Sequence, residues 1–357
     1  MTKRFLLIVG ALAVLLALPT LAGAAVAFTK LVKNQPANST IYIQTHEQGK
    51  PANSYALGVK GSQPTISPDG KIVAFIYTNK SGIGTLRFHT TEHNNFAPNA
   101  GTVTTVQCGD PTWAPNSSAV ACASGGVVIV TPTGTSTVLA KTTSGDGLGL
   151  GNVTWSPDSS KVAWVASIQP ANPKQPSTMK LRAINADGTG AVIRLGVGTN
   201  PVWGPKRIAY AFLDGCCTNS STNTWTVNPA TNNSSTATQL THFKGMIGSG
   251  PSPLMWTPNG KIILGEIDME DQAPTPVSIN AATGKITNLG PTGNELTGGS
   301  PIAASSDSSS ALVLFASNEM MGVKPTGTVR TVSLSTGKST LFMNNVSYMS
   351  ASADWKP

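Results

Sequence analysis

One pattern recurs seven times along the 357-residue chain and constrains its fold more than any other feature. The copies run QPTISPDGKIVAFIY from Gln63, DPTWAPNSSAVACAS from Asp110 and NVTWSPDSSKVAWVAS from Asn152. They continue with NPVWGPKRIAYAF from Asn200, SPLMWTPNGKIILGEI from Ser252, SPIAASSDSSSALVLFA from Ser300 and YMSASADWKP from Tyr348. The residues just before the turn are Ile66, Trp113, Trp155, Trp203, Trp256, Ala304 and Ala351, spaced 42 to 53 apart.

Each copy has a physical logic. Alternating residues up to the Trp position make a short strand with one buried face. Ser-Pro-Asp-Gly is turn chemistry: Pro presets φ, Asp bonds the local backbone and Gly accepts positive φ. A β-branched run such as Lys71–Ile76 makes the second strand. A polar loop, a third strand, a Gly- or Asn-containing turn and a fourth strand follow, as in 180–195 and 326–343. Four strands per period with no helical pattern is a β-propeller blade, so the fold class is all-β with four-stranded antiparallel blades. Trp113, Trp155, Trp203 and Trp256 occupy one position per blade, which assigns them to packing between blades. Composition agrees: only 11% of residues are charged while Gly numbers 36 and Pro 25, which excludes a coiled coil or helical bundle. With 39% hydrophobic residues regularly placed, the chain has the means to build a core.

Six copies carry all four strands, and the seventh stops after its first. Segments 40–44 and 54–58 read as outer strands without an inner partner, so the N-terminal strands and the C-terminal inner strand are expected to share one blade and hide the ring's edges. This gives seven blades, with six as the alternative in which the last segment only seals the ring.

The W-S-P-D-G hairpin, best preserved at Trp155-Ser156-Pro157-Asp158 and Ser67-Pro68-Asp69-Gly70, resembles the WD-like repeat of TolB-type propellers of bacterial envelopes. The similarity spans 40–357. Family members carry an α/β domain ahead of a six-bladed ring, and nothing here encodes one. The repeat is similar as well to propellers of prolyl-oligopeptidase-type peptidases, yet no hydrolase domain and no G-x-S-x-G elbow before the repeats accompany it. The resemblance therefore implies an exported, non-enzymatic module that binds envelope proteins, with a propeller enzyme acting on polysaccharide or peptide, or a structural surface component, as the alternatives.

The N-terminus reads as a targeting segment. Lys3 and Arg4 precede an apolar run from Phe5 to Leu18, Pro19 breaks it, and both Ala22-Gly23-Ala24 and Ala25-Val26-Ala27 fit a signal-peptidase site. An uncleaved anchor is the alternative, since 5–28 is long enough to cross a bilayer. Either way the rest of the chain lies outside the cytoplasm, and the membrane is met only through this segment. The expected organisation is a leader or anchor at 1–27, a linker at 28–39 and the propeller at 40–357. Because disulfides persist outside the cytoplasm, Cys108 and Cys122 are expected to bridge one hairpin. The adjacent Cys216 and Cys217 form an unusual pair, and no spacing suits zinc.

Candidate site residues lie where the pattern is broken. Glu266, Asp268, Glu270 and Asp271 are four of only 16 acidic residues in a chain of net charge +8. They occupy the loop after the second strand of the fifth repeat, and Asp214 occupies the equivalent loop of the fourth. Carboxylates gathered on one rim suit a hard cation, so calcium is the conditional cofactor, with Asp268, Glu270 and Asp271 as its ligands. A solvated acidic loop is the simpler reading, because the spacing is not that of an EF-hand. His46, His89, His93 and His242 share no equivalent inner-strand positions, so no catalytic constellation emerges. The basic residues are scattered singly, which argues against nucleic acid and leaves envelope proteins or cell-wall glycan as partners. The loops at 167–178, 213–223 and 266–276, all between second and third strands, are the expected contact surface.

Overall fold

The computed structural model describes residues 24–29, 39–46, 53–91, 101–123, 126–141, 146–148, 153–168, 170, 172, 177–214, 221–230, 236–245, 249–269, 272–290, 298–316, 326–347 and 352–354. Among them every long element is a strand, arranged in six antiparallel sheets. The first sheet has seven strands. Its order is β28 (Ser352–Asp354), β1 (Ala24–Thr29), β2 (Ser39–His46), β3 (Asn53–Ile66), β4 (Ile72–Thr78), β5 (Gly84–Thr90) and β6 (Val103–Gln107). The second runs β7 (Gly109–Trp113), β8 (Val120–Ala123), β9 (Gly126–Val130) and β10 (Ser136–Lys141). In the third, β11 (Asp146–Leu148) and β12 (Thr154–Trp155) both pair with β13 (Lys161–Ile168), followed by β14 (Thr178–Asn185) and β15 (Ile193–Val197).

The remaining three sheets repeat the four-strand order. They are β16 (Thr199–Trp203), β17 (Ile208–Asp214), β18 (Ser221–Val227) and β19 (Thr238–Gln239); then β20 (Gly250–Trp256), β21 (Ile262–Met269), β22 (Gln272–Asn280) and β23 (Ile286–Asn288); and last β24 (Gly299–Ala304), β25 (Ser310–Ala316), β26 (Thr326–Ser333) and β27 (Ser339–Ser347). First strands of successive repeats touch around the axis, from β3 to β7, β12, β16, β20 and β24, and β28 closes the circle between β24 and β3.

Six blades form, the alternative count, and not seven. The strands expected to make an additional blade join the first repeat in one continuous sheet, because β3 serves both. Its first half pairs with β2, as in Gly61↔Ser39, and its second half with β4, as in Ser62↔Ile76. The terminal closure also contains a strand that the sequence assigned elsewhere. β1, from the expected leader and linker, lies between β28 and β2.

Two repeated devices hold neighbouring repeats together. At the Trp position, the indole N–H donates to a carbonyl of the preceding first strand: Trp113 Nε1 to Thr65 O at 3.1 Å, Trp155 to Thr112 O at 2.9 Å, and Trp256 to Val202 O at 3.0 Å. The Trp113 and Trp155 rings are buried between sheets and Trp256 is half-buried, so the first two bonds form largely away from water. The Trp256 ring also explains one departure from the motif. Gly204 stands where other repeats have Ser, Ala or Thr, and a Cβ there would lie 2.5 Å from that ring.

The second device is the turn. The Ser67 hydroxyl donates to Asp69 Oδ1 at 2.6 Å and accepts from Ile72 N at 3.0 Å. Ser156 with Asp158 and Ser305 with Asp307 repeat the 2.6 Å bond, and Thr257 with Asn259 gives 2.9 Å. Where the final Gly of the motif is replaced, Ser117, Ser159 and Ser308 adopt φ of 63°, 61° and 60°. Left-handed backbone costs a non-glycine residue about 1–2 kcal/mol. Each of these hydroxyls, however, accepts a backbone N–H from the preceding repeat's turn: Asp69 N at 2.9 Å, Asn116 N at 3.1 Å and Asn259 N at 3.0 Å.

Cys108 and Cys122 are joined, their Cα atoms 5.5 Å apart, which ties the approach to β7 onto β8.

These contacts predict a graded response at one position. Trp155→Phe keeps most of the packing and loses the indole bond, so it should lower stability by about 1 kcal/mol. Trp155→Ala should cost about 3–5 kcal/mol. Urea denaturation of the purified protein measures both. The turns predict an acid response as well. Hydrogen bonds from the Ser156 and Ser305 hydroxyls, then from the Ser160 and Ser309 backbone and hydroxyls, hold the Asp158 and Asp307 carboxyls below the usual value of 3.8. Folding depresses these groups, so their contribution is present above the unfolded-state value and is lost as pH falls through the lower folded-state values. The double variant Asp158→Asn, Asp307→Asn should show a shallower loss of melting temperature below pH 4 than the parent.

Candidate functional site: the polar mouth of the ring

The first strands carry unusual chemistry at the end opposite the tryptophans. Gln63, Asp110 and Asn200 stand at equivalent positions, each followed by proline, with φ of 49°, 46° and 50°. All three lie in β-bulges. Pairing jumps from Ser62↔Ile76 to Thr65↔Ala74, from Gly109↔Ala123 to Thr112↔Ala121, and from Thr199↔Ala211 to Val202↔Ala209. Two residues thus oppose one, and proline, lacking an N–H, loses no ladder bond by sitting there. A bulge re-aims the side chain before it, and here that side chain is polar in every case.

Those side chains bond between repeats. Gln63 Nε2 donates to Asp110 Oδ1 at 2.8 Å, and Asp110 N donates back to Gln63 Oε1 at 3.3 Å. Asn200 Nδ2 donates to Ser252 Oγ at 2.6 Å, and Ser300 Oγ donates to Glu266 Oε2 at 2.5 Å. The result is a belt of amides, hydroxyls and carboxylates around one mouth of the ring. Within it a cleft of about 230 Å³ runs across four successive first strands, lined by Asp110, Thr112, Thr154, Asn200, Pro253 and Leu254 among others. Gln63 and Asp110 are exposed, whereas Ser252 is buried.

A second cleft, of about 530 Å³, opens beside β18 and includes Asn223, His242 and Lys244. Its wall is built by side chains. Asn223 Oδ1 accepts from Phe243 N at 2.7 Å and from Thr241 Oγ1 at 3.0 Å, while Ser221 Oγ accepts from Gly245 N at 3.0 Å. His242 and Lys244 are left exposed on the strap so formed.

The acidic residues singled out in the sequence are placed differently from expectation. Glu266 and Asp268 belong to strand β21 rather than to a loop, facing Ser252 and Gly250 of β20. The expected loop at 266–276 is mostly strand, since β21 runs to Met269 and β22 begins at Gln272. Glu266 reaches the mouth through its bond from Ser300. Asp214 ends β17 opposite Ser221, on the same rim as the end of β21. Glu270, Asp271, Cys216 and Cys217 lie outside the described residues, so of the three expected cation ligands only Asp268 is placed, by its backbone in β21. Among the described residues no three His, Cys, Asp or Glu side chains gather as a metal site.

The belt at Gln63, Asp110 and Asn200 was missed by the sequence reading. Its signal is a polar-Pro dipeptide just ahead of the turn: Gln-Pro, Asp-Pro, Asn-Pro, Ser-Pro and Ser-Pro in five of the repeats.

No protein-family model matches the chain, and no curated protein matches it. Solved structures do. TolB from Acinetobacter baumannii superposes with a TM-score of 0.51 at 15% identity, over 94% of this chain and 67% of that one. An oligogalacturonate lyase in complex with manganese gives 0.58 at 11%, over 90% and 86%. A prolyl endopeptidase gives 0.58 at 16%, over 92% of this chain but half of its own length. At these identities the likeness shows the fold alone: an all-β propeller shared by TolB-type, lyase and peptidase proteins.

Proposed function

We propose that this protein is an extracytoplasmic, TolB-like propeller that works as a non-enzymatic binding module of the cell envelope. The observation that carries this reading is the polar mouth. Three left-handed, pre-proline residues are retained at equivalent positions at about 1–2 kcal/mol each, and stored backbone strain of this kind concentrates at ligand clamps. Their side chains offer hydrogen bonds rather than an acid and base pair, which suits capture of an extended peptide or a glycan chain. The leader-like N-terminus supports the location, and the fold shared with TolB supports the role. Envelope proteins are the leading partners and cell-wall glycan the next. Enzymatic turnover of polysaccharide or peptide is the competing reading, motivated by the fold shared with oligogalacturonate lyase and prolyl endopeptidase.

In-cell cross-linking with mass spectrometry, using a C-terminally tagged full-length chain, tests it. Cross-links should converge on one envelope component, from the rim that carries the mouth. The variant Asn200→Gly removes the amide and relieves the strain, so it should keep or raise the melting temperature while weakening capture. Lower stability with unchanged capture would make Asn200 a structural residue and sink the site. Turnover of oligogalacturonides or peptides by the purified protein would favour the enzyme.

A further inference from the structure

Strand β1 sits where the sequence places the end of a leader, and its surroundings are those of a permanent part of the ring. Ala25, Val26 and Ala27 pair with Asp354, Ala353 and Ser352, while Ala24–Thr29 pairs on its other edge with 41–46. Val26 and Ala27 are 0% exposed, Phe28 2% and Thr29 3%. The two faces pack into different clusters. Val26 and Phe28 lie with Ala303, Leu312, Leu314 and Val329, and Ala27 lies with Ile41, Ile43, Leu57, Val73 and Phe75. The Phe28 ring also stacks on Tyr42 with centroids 5.6 Å apart. Without β1, the C-terminal strand β28 would lose its hydrogen-bonded neighbour and β2 would become an open edge.

We infer that the exported protein keeps Ala25–Thr29, and that any signal-peptide cleavage occurs at or before the Ala24–Ala25 bond. Of the two small-residue sites, Ala22-Gly23-Ala24 removes only Ala24 and leaves Ala25–Thr29, including every residue paired with β28. Cleavage after Ala25-Val26-Ala27 would remove all three residues paired with β28 and four of the six paired with β2, along with the buried Val26 and Ala27. Signal peptidase needs an extended, accessible chain, and the Ala27–Phe28 bond is buried once the ring closes. Folding therefore protects the second site.

The test uses the full-length protein, purified from the envelope and the medium of cells that export it. Intact mass and N-terminal sequencing should give Ala25, a residue before it, or the uncleaved Met1. A folded, protease-resistant ring beginning at Phe28 or later would overturn the inference. Ala22→Asp spoils the first site without touching β1 and should accumulate the precursor with no shift to the second. Efficient processing at Ala27–Phe28 in that variant, with the ring still protease-resistant, would again overturn it. Phe28→Asp leaves the first site intact and should make the exported chain sensitive to trypsin at its unchanged N-terminus. Unchanged resistance would mean that β1 is dispensable.

Discussion

The contact on which the ring depends is the indole of one repeat donating to the backbone of the repeat before it. A propeller's sheets are hydrogen-bonded internally but must be joined to each other by side chains. An apolar interface alone fixes no register between sheets. The bonds from Trp113, Trp155 and Trp256 to Thr65, Thr112 and Val202 fix it, because each sets one first strand at a defined height against the next. Burial raises the cost of misplacement, since an unpaired indole N–H or carbonyl there forfeits its water as well as its partner.

The turns act on the same joint from the residues that immediately follow the indole position. Replacing glycine by serine in a left-handed position looks like a weakening of the motif when each repeat is considered by itself. Considered between repeats it is a trade: Ser117, Ser159 and Ser308 accept the strain and gain a bond from the neighbouring turn. A net hydrogen bond is worth about 0.5–1.5 kcal/mol, which offsets most of the backbone cost. The effect of the serine is therefore mainly to couple repeats, with little change in overall stability.

How much of this was legible follows from the range of the interactions. Strand-turn-strand units were legible because period-2 alternation and Ser-Pro-Asp-Gly are local signals, as β12–β13 at Trp155 and Lys161 shows. The blade count was legible only as seven or six, because β3 changes partner between Gly61 and Ser62 and nothing local marks a shared strand. Strand β1 was hidden for another reason: Ala24-Ala25-Val26-Ala27-Phe28 is as apolar as the run before it, and a short apolar run has no period to separate an expected leader's end from a strand buried on both faces. The site was half legible. Charge drew the eye to Glu266 and its neighbours, whereas the belt of Gln63, Asp110 and Asn200 is neutral at two of its three positions and depends on bulges that appear only once the register is known.

The position of β1 sets where the N-terminal segment stands relative to the mouth. First strands run from the mouth, at Gln63, Asp110 and Asn200, to the turns at Ser67, Ala114 and Gly204. Strand β1 is antiparallel to β28, which occupies a first-strand position, so β1 runs the other way and starts at the turn side. A leader retained as an anchor would therefore hold the turn side toward the membrane, with little chain between Ala24 and the apolar run. The polar mouth would then face away from the bilayer, open to soluble envelope proteins or to the cell wall. With the leader removed, the new N-terminus would project from the turn side and leave the mouth unobstructed. In both cases the strained, hydrogen-bonding rim and the start of β1 lie at opposite ends of the ring.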